Sequence, residues 1–274
     1  QGNRDFVGAD LCGADLRGVT LIGVNLRGAN LRGANLSRAF LTKSDLSGAQ
    51  MNWANLSFVK MSDSKLVEAE LTKANLNGAF LVQSKLPGAK LSGANLNATN
   101  LRRANLWGAN LCGANLQRSN LRDANLSGVN LNWANLSEAR LIGAKLYGAS
   151  LNGLNLSRAL LKGLDLGGVD LEGVNLREAK LSGANLEGAN LIAADLSEAH
   201  LEHVNLKGAD LTGANLTRAS LEQANLTWTI LKKVNLSDAN LSNAQLNGVY
   251  FEDSQLRGAI IPQLAERFLY SSAS

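Results

Sequence analysis

The two histidines of the chain, His200 and His203, fall in the phrase Glu198-Ala199-His200-Leu201-Glu202-His203. Imidazole and carboxylate brought this close are the ingredients of a mixed nitrogen and oxygen site for a divalent ion. Glu198, His200, Glu202 and His203 are therefore the candidate metal set. With Leu201 turned inward, all four project outward, where nothing shields a bound ion from water, so a solvated mixed-charge surface is the expected state. Two histidines in 274 residues also leave little for general acid–base work. Serine is plentiful but regularly placed, and no nucleophile–base–orienter set stands out. The sequence thus predicts a non-enzyme with no cofactor. The two cysteines, Cys12 and Cys112, are expected to be free thiols, which points to a reducing, cytoplasmic compartment and leaves a lumenal or periplasmic one open.

The frame that positions these residues is a five-residue repeat. From Phe6 to Ile261 every fifth residue is large and apolar, 52 positions of which 47 are Leu, the others being Phe6, Met51, Met61, Phe251 and Ile261. Two residues before each, from Ala9 to Ala259, is a small or apolar residue, Ala at 33 of 51 positions. A period of five leaves no apolar stripe on an α-helix and alternates faces on a strand. It fits a short extended piece, with i−2 and i pointing inward, followed by a corner. Of the 27 Gly, 25 stand two residues after the central position, where a tight turn wants φ > 0. Such a chain winds into an all-β solenoid filled along its axis by Leu and Ala.

The residue before the central one is Asn or Asp in 31 of 52 repeats, and in four classes of period 20 these divide as 12, 9, 7 and 3. The coil is therefore four-sided, and residues twenty apart are stacked neighbours. One class runs unbroken as Asn from Asn35 to Asn175, where an amide can bond the turn backbone and the coil above.

Over residues 6–261 the chain resembles the pentapeptide-repeat family, whose consensus is A(D/N)LXX. The resemblance implies a right-handed quadrilateral β-helix, here of about 13 coils and roughly 60 Å at strand spacing. Family members are often cyanobacterial, and repeat arrays also occur appended to other modules. Some mimic duplex DNA and bind gyrase, conferring quinolone resistance. That reading wants an acidic rod with central Phe, an interrupting loop and a dimerising C-terminal helix. This chain has net charge +4, central Leu and no interruption, which disfavours it.

The ends are expected to differ from the repeat. Residues 1–5 offer no cap for the first coil, which suggests a piece of a longer chain or stacking on another copy. After Pro262, Leu264, Phe268 and Leu269 fall at helical spacing, so 262–274 is read as a short helical cap with a frayed tail. Trp228, Ile230 and Tyr250 should cluster near it, serving the cap or self-association, end to end or lateral.

Function is sought where an outer face departs from the repeat. The class poorest in Asn and Asp belongs to the side centred on Leu21, Leu41, Met61 and Leu81. There Phe40, Phe58, Phe80 and Val82 make an outward apolar strip, followed by Arg102, Arg103 and Arg122, with Glu178, Glu198, Glu202 and Glu222 further on. Outward Phe on a polar lattice marks a contact surface, and stacked Arg suggests an acidic protein partner. Residues 1–137 carry a net +7 and residues 138–274 a net −3. The basic stretch from Arg102 to Lys162 raises nucleic acid as a further alternative. It is disfavoured because no aromatic platform is apparent beside it and acidic residues follow. No apolar run is long enough to span a membrane.

Overall fold

The structure, a computed structural model, describes residues 4–262. The sequence pattern follows from where each repeat sends its five backbone N–H groups. In the repeat centred on Leu56, Ala54 N–H closes the preceding corner on the Met51 carbonyl, at 3.1 Å. Asn55 N–H reaches back to Ala34 O at 2.9 Å, while Leu56 and Phe58 N–H reach forward to Asn75 O and Asn77 O at 2.7 and 2.9 Å. The remaining donor, Ser57 N–H, has no backbone partner and is taken by the Asn55 side-chain oxygen at 3.1 Å. Asn and Asp recur before the central Leu because they satisfy the one backbone donor that the coil leaves over.

Bridges join residues twenty apart in parallel, as in Asn35↔Asn55, Asn55↔Asn75 and Asn75↔Asn95, so each turn of the chain has four sides. The stacked amides also bond along the axis, Asn75 Nδ2 to Asn55 Oδ1 at 3.4 Å and Asn95 Nδ2 to Asn75 Oδ1 at 3.2 Å.

The corners hold a finding that glycine counting did not anticipate. All 51 corner residues from Gly8 to Gly258 have positive φ, and 26 of them are not glycine, including Phe58, Trp53, Trp133 and Trp228. The left-handed region costs an L-residue about 1–2 kcal/mol. At Trp53 and Phe58, as at most corners, the carbonyl of the central residue accepts the N–H three residues on, and the corner's own N–H is bonded to the next coil. This geometry compels φ > 0 whatever the side chain. A bulky corner residue then needs room on the coil above. A Cβ on Gly78 would stand 2.5 Å from Phe58 Cε1, so that glycine is required for the Phe58 ring to lie where it does.

Leu and Ala fill the interior to the exclusion of solvent, for example Leu36, Leu56, Leu76, Ala54 and Ala74. Ser44, Ser64 and Ser84 replace Ala in one column and are buried too. Their hydroxyls donate to the carbonyls of Leu21, Leu41 and Met61 at 2.6, 2.6 and 2.7 Å, tying each corner to the coil before it.

The chain divides into two compact units, Gln1–Ser150 and Leu151–Ser274. Each is built from the same bridged repeats. The second also contains two short strands, β1 (Ile230–Lys232) and β2 (Tyr250–Glu252), paired in parallel with Ile230 opposite Tyr250. Among the described residues no helix is long and apolar enough to cross a membrane. The expected cap residues Leu264 and Phe268 lie outside the described residues, as does the entry segment up to Asn3.

Candidate functional site

Within the first unit the four sides treat the leftover N–H differently. On the side centred on Leu36, Leu56, Leu76 and Leu96, an Asn oxygen caps Ser37, Ser57, Asn77 and Asn97 at 3.1–3.2 Å. On the side centred on Leu21, Leu41, Met61 and Leu81, the capping position holds Thr20, Phe40, Lys60 and Phe80. No described residue accepts the N–H of Ile22, Thr42, Ser62 or Val82. A shorter uncapped run, Asn52, Thr72 and Ser92, lies on another side behind Gln50, Glu70 and Lys90, all polar. In the first run two of the four capping positions, Phe40 and Phe80, carry aromatic rings instead.

Those rings are placed as the sequence predicts, with one qualification. Phe58 and Phe80 are 48% and 44% exposed, and Ile22 is exposed one coil before Phe40. Phe40 is half-buried, because the Lys60 ammonium of the next coil lies 4.7 Å from its ring centre. Val82 is half-buried as well. Phe58 borders a surface depression lined by Asp15, Arg17, Ser37, Arg38 and Ser57.

Further along the same side, Arg102 and Arg122 stand in successive coils, and Arg103 N–H bonds Arg122 O at 2.9 Å. Arg103 pairs with Asp123 at 3.8 Å and Arg118 with Glu138 at 2.9 Å. Arg102, Arg122 and Arg140 have no ion-pair partner among the described residues. The adjoining side holds a feature that sequence reasoning passed over: Trp107 and Tyr147, 59% and 87% exposed, share one column with Val67, Pro87 and Ser127. Pro87 follows the uncapped Lys85 position and, lacking an N–H, needs no cap. The signal for this column was available, since Trp107 and Tyr147 are forty residues apart in register.

In the second unit several acidic residues are engaged locally. Glu178 accepts from Arg158 at 2.9 Å, Glu198 from Arg177 at 2.9 Å and Glu187 from Lys207 at 3.2 Å. Hydrogen bonds from Arg158 and Lys207 hold the carboxyls of Glu178 and Glu187 below the usual carboxylate range. The candidate metal set is drawn into such pairs. Glu198 is committed to Arg177, while Glu202 accepts from Ser182 at 2.6 Å and has His200 Nδ1 at 3.4 Å. Burial raises the Glu202 pKa, but the Ser182 and Ser220 hydrogen bonds and the His200 charge leave it lowered. Among the described residues no group of three or more His, Cys, Asp and Glu is placed to hold a metal ion. Cys12 and Cys112 are free thiols. Trp228 lies exposed across the Gly248 corner, and Ile230 pairs with Tyr250 through the backbone.

The family model for pentapeptide repeats (eight copies) matches residues 3–33, 25–63, 49–88, 64–103, 81–118, 89–128, 114–153, 124–163, 155–191, 194–232 and 235–262. The chain belongs to the pentapeptide-repeat family. Its fold is the β-helix of that family, which winds right-handed. Among solved structures, HetL, a pentapeptide repeat protein involved in heterocyst differentiation regulation from the cyanobacterium Nostoc sp. strain PCC 7120, is 31% identical. The match covers 90% of each chain with a TM-score of 0.48. A pentapeptide repeat protein from the Arabidopsis thaliana thylakoid lumen is 31% identical over 32% of this chain and 61% of its own, with a TM-score of 0.32. Full-length QnrB1, a plasmid-mediated fluoroquinolone resistance protein, is 16% identical over 78% of this chain and 98% of its own, with a TM-score of 0.32. A comparison with curated proteins found no match.

Proposed function

We propose that this pentapeptide-repeat chain is a non-catalytic scaffold that presents one specialised side of its first unit to a protein partner. Phe40, Phe58, Phe80 and Val82 form the apolar part of the contact, and Arg102, Arg103 and Arg122 the part that meets acidic groups. The observation that carries the reading is the row of four uncapped backbone donors, Ile22, Thr42, Ser62 and Val82, beneath outward aromatic rings. A backbone-to-side-chain hydrogen bond contributes about 0.5–1.5 kcal/mol, so each missing cap is stability forgone. Phe58 adds the cost of a left-handed corner, about 1–2 kcal/mol. Phe58 and Phe80 stay 48% and 44% exposed, so burial in the chain itself offsets only part of these costs. Binding a partner that covers the rings and offers acceptors to the N–H row would offset both.

The proposal extends to thirteen coils over residues 6–261, to a cap formed by 262–274 with Trp228, Ile230 and Tyr250 against Leu264 and Phe268, and to a cytoplasmic setting supported by the two free thiols. Gyrase binding by DNA mimicry fits poorly with a first unit holding 17 Lys and Arg against 9 Asp and Glu, a net +8.

Affinity capture from the source cell, followed by direct titration of the captured protein, tests the reading. The Phe40→Ser/Phe58→Ser/Phe80→Ser variant is expected to lose the partner while keeping its β-helix circular dichroism. Unchanged affinity in this variant would place the interface elsewhere.

A further inference from the structure

Residues 81–150 of the first unit hold eight Lys and Arg but only two acids, Asp123 and Glu138, and both acids are already paired with Arg103 and Arg118. Lys90 is paired with Glu70. That leaves Lys85, Arg102, Arg122, Arg140 and Lys145 without an ion-pair partner among the described residues, on two adjoining sides of the coil. The second of these sides carries Trp107 and Tyr147. They stand in one column two coils apart, about 9.6 Å at strand spacing.

The surroundings of these rings distinguish them from the Phe strip. Half-buried Pro87 borders Trp107 in the column, but Asn105, Asn125 and Ser127 around and between the two rings are polar, so the rings are not joined into one apolar strip. The corner beside them is Gly108, Gly128 and Gly148, where no side chain obstructs approach to the backbone. A Cβ added at Gly108 or Gly148 would meet nothing within 4 Å. Flat rings standing free on a cationic face, next to a bare track, are suited to other flat rings joined by an anionic backbone. A duplex keeps its bases stacked on one another and cannot offer them to Trp107 and Tyr147; an unpaired strand can.

We infer that this pair of sides binds single-stranded nucleic acid, with bases stacked on Trp107 and Tyr147 and phosphates on Lys85, Arg102, Arg122, Arg140 and Lys145. The site shares Arg102 and Arg122 with the proposed protein contact, while the Phe strip lies outside it and Trp107 and Tyr147 belong to it alone.

Fluorescence anisotropy of labelled oligothymidylate and oligouridylate with the full chain tests it, the two probes separating DNA from RNA. Five neutralised phosphates predict a slope of about −3.5 in log K against log salt, and Arg102→Gln/Arg122→Gln/Arg140→Gln should reduce it to about −1.4. Trp107→Ala and Tyr147→Ala should each weaken binding by about fivefold or more, since each ring stacks a base. Both rings are exposed, so these variants should melt like the parent. The triple Phe variant should bind the strand normally, which separates failure of this site from failure of the protein interface. No binding at about 50 mM salt would overturn the inference. So would binding indifferent to both ring substitutions, tighter binding of duplex than of single strand, or equal competition by polyglutamate, which would mark the surface as one for an acidic polypeptide.

Discussion

Residues 81–150 and the second unit are built from the same repeat, yet their charge balance is opposite, eight Lys and Arg against two acids in the one and a surplus of acids in the other. The second unit holds 10 Lys and Arg against 14 Asp and Glu, and pairs Arg158, Arg177, Lys207 and Lys232 with carboxylates of neighbouring coils. Its Lys162, Lys180, Arg218, Lys233 and Arg257 have no ion-pair partner among the described residues either, but they stand among surplus acids, whereas the five unpaired cations of residues 81–150 have no spare acid in that stretch. Because the core and corners are the same in both, the difference lies entirely in side chains that contribute little to folding. Surface ion pairs are worth about 0–1 kcal/mol each, so neither arrangement is imposed by stability. In such a solenoid, outward positions are free to vary, and a departure that forgoes stabilising bonds reports on contact rather than on folding.

The largest expected effect tests whether the two regions share one core. Leu111→Ala and Leu191→Ala remove equivalent, fully buried side chains. Each should destabilise its unit by about 2–5 kcal/mol in denaturant unfolding. A cost for one several kcal/mol below the other would break the premise that only the surfaces differ.

A smaller pair of effects concerns buried hydroxyls in the first unit. Ser64 Oγ donates to Leu41 O, whereas the buried Ser119 hydroxyl has no partner among the described residues. Ser64→Ala should cost about 1 kcal/mol and Ser119→Ala should gain about as much, because an unsatisfied buried group is removed. Urea midpoints shifting in opposite directions would bear this out; shifts of the same sign would show that the Ser119 hydroxyl is satisfied.

The smallest effect concerns the ion pairs that the acids of the second unit form. Glu178 and Glu187 are acidified in the folded state by Arg158 and Lys207, so the unfolded chain takes up those protons first. Their contribution is complete above the ordinary carboxylate value of about 4.3 and vanishes as pH falls through the lowered folded values. Arg158→Gln/Lys207→Gln should therefore flatten the acid limb of stability and change little at pH near 7 beyond a slight loss. Thermal melts across pH, at low salt, would register it; an acid limb identical to the parent would show that the pairs do not operate in solution.

Much of the fold was legible because its register never slips: inward Leu, four-sided stacking and Asn ladders follow from spacing alone. The outward Phe residues were legible for the same reason. The Lys60 cover on Phe40 was not, because it depends on how a flexible side chain folds over the next coil. Left-handed corners at Phe58 or Trp53 were hidden too, since glycine enrichment shows a preference and not that the coil imposes φ > 0 on any residue. Ser44, Ser64 and Ser84 passed as small core residues until their hydroxyls were seen to bond corner carbonyls. Trp107 and Tyr147 were legible as two outward aromatics forty residues apart in register, but Ser127 between them interrupts the column, and only the structure shows how far both rings stand exposed.

Amide hydrogen exchange at single residues addresses the missing caps most directly. In the free chain, Ser37, Ser57, Asn77 and Asn97, each bonded to an Asn oxygen, should exchange slowly, while Ile22, Thr42, Ser62 and Val82 exchange near the rate of open chain. Adding the captured partner should then slow the second set and leave the first unchanged. Equal protection of both sets in the free chain would contradict the account, as would a partner that leaves Ile22, Thr42, Ser62 and Val82 exchanging as before.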